Sequence, residues 1–227
     1  MRIGGFQKTS LIDYAGKIAA IVFTRGCNFN CVYCHNKGLI GIGDHNEDIT
    51  PEDILSFLQT RKGKLDAVVI TGGEPTLQPD LIQFMGKIKD MNFLVKLDSN
   101  GSNPHVLREA IAQGLVDYIA MDLKAPLEKY QTVMGRELDT SKIQESIALI
   151  KNSGIEHEFR TTVHKALLSE DDLLQLGELA GTSRLILQKY VPQDGLEQLN
   201  AQEDYTTEDF LRIKNALANR GYECSLR

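Results

Sequence analysis

The sequence contains no long apolar run, and none approaches the ~18 residues that a membrane-spanning helix needs. Its first residues, MRIGGFQKTSLIDYAGK, lack the apolar stretch of a secretory signal, so we expect no export. Basic residues are fewer than acidic ones, 25 against 31, and the net charge is −6. Such a charge argues against nonspecific binding to nucleic acid or to anionic membranes. These absences predict a cytoplasmic protein that works on neither.

Cysteine is scarce, and its distribution is uneven. The 227 residues include only four cysteines, and three of them, Cys27, Cys31 and Cys34, lie close together with the spacing Cys-x3-Cys-x2-Cys. Because thiols stay reduced in the cytoplasm, clustered cysteines indicate a metal site or redox chemistry rather than a disulfide framework. Cys224 stands alone, and we assign it no role.

Low-complexity segments and strict repeats are also absent. What recurs is a short apolar run followed by an amphipathic helical stretch, which predicts an α/β fold with a parallel sheet and right-handed crossovers. The six runs predicted to be buried strands are residues 18–24, 65–71, 93–99, 116–123, 156–163 and 184–190. Thr50 as N-cap with Pro51 at the first helical position predicts the start of one helix, and YECSLR at the end of the sequence is predicted to form a closing strand. The alternation fits either an open doubly wound sheet or an incomplete (β/α) barrel, and we expect a single domain over residues 1–227.

Polar residues follow the predicted strands, at the ends where both architectures bind ligands. The cysteines follow the first strand and a Gly-Gly-Glu sequence follows the second. The remaining ones are Asp98 to Gly101 at the end of the third strand, Asp122 and Lys124 at the end of the fourth, Arg160 and His164 with the fifth, and Gln188 and Tyr190 at the end of the sixth. We therefore predict that these groups meet on one rim.

Three thiolates on one short loop can hold a soft metal or an iron–sulfur cluster. A closed structural site normally uses four ligands, so three ligands leave one position open. A zinc site of the three cysteines plus His35 is the simplest alternative. It is disfavoured because His35 directly follows Cys34, and no second ligand pair lies downstream at zinc-ribbon spacing. Buried core cysteines are disfavoured because the flanking glycine and asparagines are loop formers.

The segment GCNFNCVYCHN resembles the cluster loop of the radical S-adenosylmethionine (SAM) superfamily, including an aromatic residue, Tyr33, before the third cysteine. TGGEP after the second strand resembles the Gly-Gly-Glu motif of that superfamily. The resemblance implies an incomplete (β/α)6 TIM-like barrel with the cluster at its C-terminal rim. It also implies SAM and a [4Fe-4S] cluster with three cysteine ligands. No cysteine lies between Cys34 and Val68, so we expect one cluster.

From Gly5 to about Tyr190, the chain is similar to the activases of glycyl-radical enzymes, notably in FQKTSLIDYAGK, DSNG and MDLK. The short chain and the leader TSLIDYAGK most resemble activases of anaerobic ribonucleoside-triphosphate reductase. Pyruvate formate-lyase activating enzymes are the alternative, but a Pro-Tyr-His type motif follows their sixth strand, where this chain has QKYVPQDG.

The resemblance to activases implies an oxidoreductase that reductively cleaves SAM to a 5′-deoxyadenosyl radical. That radical would abstract hydrogen from a glycine of a partner enzyme. The electron would come from a flavodoxin- or ferredoxin-type donor.

The resemblance also implies roles for individual residues. Cys27, Cys31 and Cys34 would hold the cluster, and Lys124 would join them in catalysis. The implied SAM-binding residues are Tyr33 and His35 beside the adenine, Gly73 and Glu74 at the methionyl amino group, Asp98 and Asn100 near the carboxylate and ribose, and Asp122, Lys124 and Arg160.

Each of these assignments has a structural alternative. Gly-Gly could form only a tight turn, and Asp-Ser-Asn-Gly could form only an Asx-turn. Asp122 and Lys124 could form only an ion pair, and Arg160 could face solvent. For the whole protein, two other hypotheses stay open: a radical SAM enzyme that acts on a small molecule, and a metal-binding interaction module without catalysis.

Overall fold

The computed structural model describes residues 1–41, 49–192, 199 and 204–227. These residues form one eight-stranded sheet in sequential order. The strands are β1 (Ile3–Ser10), β2 (Ala19–Thr24), β3 (Ala67–Gly72), β4 (Leu94–Ser99), β5 (Tyr118–Asp122), β6 (Glu156–Val163), β7 (Leu185–Lys189) and β8 (Cys224–Leu226). The helices are α1 (Pro51–Gln59), α2 (Leu81–Asp90), α3 (Pro104–Ala112), α4 (Tyr130–Met134), α5 (Thr140–Lys151), α6 (Glu170–Ala180) and α7 (Thr207–Asn219).

The strand order decides between the two architectures. Strands β2 to β8 pair in parallel, each with its neighbour in the sequence, and β1 pairs antiparallel with β2. A doubly wound sheet reverses its order at a switch point, and this sheet has no reversal. The prediction of an incomplete TIM-like barrel is therefore confirmed.

Two elements were missing from the sequence prediction. β1 has the sequence IGGFQKTS, whose glycines and polar residues give no apolar alternation. It forms because it pairs with the neighbouring strand at the edge of the sheet. The short helix α4 was also missed, since five residues are too few to show a helical period.

The predicted helix starts are confirmed by their capping. Thr50 accepts a hydrogen bond from the Asp53 amide, the Asp53 carboxylate accepts from the Thr50 amide, and Pro51 occupies the first helical position. The apolar face of each helix packs against the outer face of the sheet, where Ile54 and Met85 are fully buried. The outer side of the barrel is thus an ordinary hydrophobic core.

The inner face of the barrel is apolar near the amino ends of the strands, which we call the bottom, and polar near their carboxyl ends. At the bottom, Tyr14 packs with Ala19, Ile21, Ala67 and Val69 in a small apolar cluster. Above it, the buried side chain of Lys96 donates to the backbone carbonyl of Asp13 at 2.5 Å, which closes this end. The inner positions nearer the carboxyl ends of the strands are polar. The polar end of the barrel is therefore the end that suits a charged ligand.

None of the helices seen in the described ranges has the length and hydrophobicity of a transmembrane segment.

Candidate functional site

A cavity of about 530 Å³ opens at the carboxyl ends of the parallel strands. Its size is typical of a site for a small molecule or cofactor. All twelve residues that the sequence analysis proposed for the site line this cavity: Cys27, Cys31, Tyr33, Cys34, His35, Gly73, Glu74, Asp98, Asn100, Asp122, Lys124 and Arg160. The structure thus brings the whole set together, although their roles toward ligands stay predictions.

The cysteine loop, residues 25–36, leaves the end of β2 and is held from the far side by α4. The Asn30 amide donates to the carbonyl of Met134 at 3.1 Å. The buried Cys31 thiol contacts the Met134 thioether, with 3.7 Å between the sulfurs. Cys27 and Cys34 are half-buried. The missed helix α4 therefore positions the loop on which the predicted cluster ligands lie.

The chemistry of the thiols suits a cationic centre. Burial raises the pKa of Cys27 to about 12, and the charge of Glu74 adds to this effect. Burial also raises the pKa of Cys31, against the opposing effect of Lys124. Such thiols lose their protons when they bind a metal, because only the thiolate is a ligand. In the described ranges, no group of three or more His, Cys, Asp or Glu side chains is placed to hold a single metal ion.

The Gly72-Gly73-Glu74 turn packs against the base of the cysteine loop. Gly72 has a φ of +110°, a conformation that L side chains rarely adopt. A Cβ on Gly73 would lie 2.2 Å from the carbonyl oxygen of Gly26, and this same oxygen accepts from the Glu74 amide at 2.8 Å. The two glycines therefore do more than form a tight turn. They also allow this turn to contact the cysteine loop directly.

The Glu74 carboxylate is only 1% exposed and joins the ends of β3 and β4. It accepts from the Thr76 amide at 3.1 Å, the Thr76 hydroxyl at 2.5 Å, the Ser99 hydroxyl at 2.9 Å and the Asn100 amide at 2.7 Å. Burial raises the pKa of Glu74, and these hydrogen bonds oppose the rise. In this structure the side chain fixes the turn after β4 beside the turn after β3.

Four charged side chains, those of Asp98, Asp122, Lys124 and Arg160, form an ion-pair network across the ends of β4, β5 and β6. Arg160 donates from Nη1 to Asp98 and from Nε to Asp122, both at 3.0 Å. Lys124 donates to the other oxygen of Asp122 at 2.8 Å. Arg160 lies directly opposite Asp122 in the strand register, and its side chain is 13% exposed. The alternative of a solvent-facing Arg160 is therefore excluded, while the Asp122–Lys124 ion pair is present.

The opposite charges within this ion-pair network keep its side chains ionised. Burial alone would raise the pKa of Asp122, but the positive charges of Arg160 and Lys124 outweigh it and hold the value at about 2. Burial alone would lower the pKa of Lys124, yet Asp122 raises it well above the ordinary value. Asp98 has one carboxylate oxygen, Oδ1, with no hydrogen-bond partner among the described atoms, although Lys96 Nζ lies 3.5 Å from it. This buried acceptor lies in a side chain that lines the cavity.

The aromatic residues lie along the cysteine loop. The buried Tyr33 ring lies 5.6 Å from the Lys124 ammonium, and its hydroxyl has no hydrogen-bond partner among the atoms described. The His35 ring is edge-on to Tyr190 at 6.2 Å, and Tyr190 is edge-on to His164 at 5.4 Å. Burial lowers the pKa of His35, which favours a neutral ring. The loop therefore reaches across the mouth of the barrel toward β6 and β7.

Sequence reasoning placed Gln188 on the rim but gave no ligand role to this side of the cavity, next to β6, β7 and β8, and it did not single out Thr162, Val191 or Arg227. This side is lined by Thr162, Gln188, Lys189, Val191 and Arg227. Arg227 makes two 3.0 Å hydrogen bonds to the buried carboxylate of Glu158. The alternation within the predicted closing strand could have indicated Arg227, because it places residues 225 and 227 on one face.

A parallel barrel whose rim presents three thiols and buried ion pairs defines an enzyme built around a thiolate-bound metal cofactor. The sequence profile of the Radical SAM superfamily matches residues 21–177. The chain belongs to this superfamily, and it is a radical SAM enzyme that uses a [4Fe-4S] cluster and SAM. The chemistry of the donor set fits both, since three thiols and a carboxylate oxygen that accepts no hydrogen bond among the described atoms belong to residues that line the cavity.

Comparisons with individual proteins give the range of relatives. A protein of Methanocaldococcus jannaschii with the provisional name glycyl-radical enzyme activating enzyme is 33% identical in an alignment of 225 positions that covers 96% of this chain and 92% of that protein. A provisionally named GTP 3′,8-cyclase of Pyrococcus horikoshii is 30% identical over 131 residues, 55% of this chain and 41% of that one. The structure of Streptococcus suis SuiB bound to SAM superposes with a TM-score of 0.68 at 16% identity, covering 89% of this chain and 48% of SuiB.

Proposed function

We propose that this protein is an activase that installs a glycyl radical on a partner enzyme, acting as one radical SAM domain over residues 1–227 in the cytoplasm. The observation that carries the proposal is the similarity to the M. jannaschii protein, which extends over nearly the full length of both chains. The resemblance of TSLIDYAGK favours anaerobic ribonucleoside-triphosphate reductase as the partner, and pyruvate formate-lyase is the alternative. A flavodoxin- or ferredoxin-type protein would supply the electron.

The residues of the cavity divide the work between them. When bound, the cluster and SAM supply a 5′-deoxyadenosyl radical after a one-electron reduction. Cys27, Cys31 and Cys34 would hold the cluster through their thiolates. The buried walls of the barrel exclude water from the reacting atoms.

The ion-pair network at the ends of β4, β5 and β6 would orient SAM. Lys124 and Arg160 would attract its carboxylate, and the Oδ1 atom of Asp98 would accept from its amino group or ribose. Because these charges are already held by one another, they need little rearrangement when the ligand enters.

The remaining side of the cavity suits the partner. Apart from Arg160, the lining residues on β6, β7 and β8 have no role assigned toward SAM, and Thr162 and Gln188 offer a hydroxyl and an amide for a peptide backbone. Val191 is 59% exposed at the same mouth. We place the glycine-bearing segment of the partner here, facing the cysteine loop across the cavity.

The test is to reduce the cluster-loaded protein and mix it with SAM and a candidate glycyl-radical enzyme. We expect a glycyl doublet in the electron paramagnetic resonance spectrum and an equal amount of 5′-deoxyadenosine. Cys31→Ala abolishes both, whereas the matched control Cys224→Ala, in β8, retains both. SAM cleavage without a doublet on either the reductase or the lyase contradicts the proposal.

A second candidate is a radical SAM enzyme that acts on a small molecule. The similarity to the provisionally named GTP 3′,8-cyclase favours it, but it covers only 41% of that protein. Incubation of the reduced, cluster-loaded protein with SAM and GTP distinguishes the two. Conversion of GTP supports the second candidate, and its absence leaves the activase.

A further inference from the structure

The side chain of Asn100, at the end of β4, is engaged by the protein at both polar ends. Its Nδ2 donates to Oδ1 of Asn28 at 2.9 Å, and its Oδ1 accepts from the Ser102 amide at 3.0 Å. Nδ2 also lies 4.0 Å from the sulfur of Cys27. Asn100 is 6% exposed. Its amide is therefore committed to the cysteine loop rather than extended into the cavity.

Two further contacts keep Asn100 in this orientation. The side-chain amide of Asn28 donates from Nδ2 to the Ser102 hydroxyl at 2.8 Å. This bond closes a ring of hydrogen bonds through Asn100, Asn28 and Ser102. From behind, the buried Glu74 carboxylate accepts the Asn100 backbone amide at 2.7 Å. Rotation of the Asn100 side chain would break two bonds of the ring at once. The turn after β4 is thus tied to the Cys27 end of the loop.

Two N–H groups approach the Cys27 sulfur from the protein side. One is the Phe29 backbone amide at 3.4 Å, and the other is the Asn100 side-chain amide. Reduction of a cluster adds negative charge to its sulfur ligands, and N–H dipoles that point at those ligands stabilise the added charge. Such donors shift the reduction potential to a more positive value.

We propose that Asn100 is a positioning residue for the cluster: its side-chain amide fixes Cys27 and raises the reduction potential of the bound cluster. This role differs from the contact with the SAM carboxylate and ribose that the family resemblance implies. It bears on how easily the protein accepts its electron, and it holds whichever substrate the radical attacks.

Two variants test the proposal. Asn100→Leu removes both donors and the acceptor at similar volume, while Asn100→Asp keeps an acceptor for the Ser102 amide and loses the donors. The matched control is Asn103→Ala, three residues along, whose side-chain amide binds Thr76 instead of the cysteine loop. The midpoint potential of the reconstituted cluster is measured without SAM, by redox titration followed by electron paramagnetic resonance.

We expect a more negative potential in both Asn100 variants, an unchanged potential in Asn103→Ala, and an unchanged SAM dissociation constant in Asn100→Leu. If Asn100→Leu fails to retain iron while the control retains it, the loop depends on the ring, which supports the positioning role; Asn100→Asp then supplies the potential. Wild-type potentials in both variants overturn the proposal. A loss of SAM affinity alongside them would make Asn100 a SAM ligand instead.

Discussion

Among single residues, Gly73 shows how two distant motifs depend on each other. The close approach of this glycine to Gly26 joins the Gly-Gly-Glu turn to the cysteine loop, so that a change in one displaces the other. The motif therefore has a structural role that comes before any contact with a ligand.

We predict that Gly73→Ala impairs cluster loading while the barrel stays folded. The added methyl would meet the Gly26 carbonyl, and overpacking of this kind costs ~1–3 kcal/mol. Here the strain falls on the loop with the predicted cluster ligands. Iron content and visible absorbance after anaerobic reconstitution measure the effect, with circular dichroism as the check on the fold.

The matched control is Gly86→Ala, in α2, where an added methyl meets nothing within 4 Å. It should load the cluster normally and stabilise the helix by ~0.5–1 kcal/mol. Normal iron content in Gly73→Ala would show that the loops do not constrain each other.

Asp122 gives a prediction about pH. Its folded pKa of about 2 lies below the ordinary 3.8, so its stabilising charge interactions are present above about pH 4 and are lost as the pH falls through 2. Replacement by Asn removes roughly 2 kcal/mol of unfolding free energy at neutral pH. Urea unfolding of both proteins should give a constant difference from pH 7 to about 5 and a shrinking one below about 4. A difference that grows toward acid would contradict this assignment.

Between strands, the pair of Arg227 and Glu158 ties β8 to β6 across β7. The Glu158 side chain is 2% exposed and also accepts from the Tyr118 hydroxyl at 3.1 Å. Arg227 itself is half-exposed, so the benefit of the pair comes mainly from the charge that it neutralises inside the barrel.

We predict that Arg227→Met lowers the free energy of unfolding by ~1–3 kcal/mol, because it leaves the buried Glu158 carboxylate without its cation. Adding Glu158→Gln should recover most of the loss. The comparison is Arg184→Met, which breaks an exposed pair with Glu223 that is worth ~0–1 kcal/mol. Equal losses from the two arginine variants would show that Arg227 acts as a surface residue.

The strands and the rim were predictable from the sequence to different degrees. Buried parallel strands such as β3 can be predicted from a continuous apolar run. Residues that follow the carboxyl ends of such strands must lie on the same rim. β1 and α4 gave no such signal, since an edge strand and a five-residue helix depend on tertiary contacts. The hydrogen-bond ring of Asn28, Asn100 and Ser102 could not be predicted from the sequence either. No sequence spacing indicates which side chains of two separate loops will bond to each other.

Across the entire barrel, the proposed function gives the cavity a side for SAM and a side for the partner. We predict that Gln188→Ala raises the KM for the partner enzyme and leaves SAM cleavage without partner unchanged, because Gln188 lies on β7 and is assigned no contact with SAM. Initial rates of radical formation at varied partner concentration, beside 5′-deoxyadenosine formation without partner, measure both. An equal loss in the two assays would place Gln188 on the SAM side.

The most direct test of the activase is the origin of the hydrogen that enters 5′-deoxyadenosine. The partner enzyme is produced with glycine deuterated at its α-carbon and is incubated with the reduced, cluster-loaded protein and SAM. Mass spectrometry then determines the label in the product. The account predicts one deuterium in each 5′-deoxyadenosine formed with the labelled partner. Unlabelled product, at a yield that the partner does not alter, would contradict it.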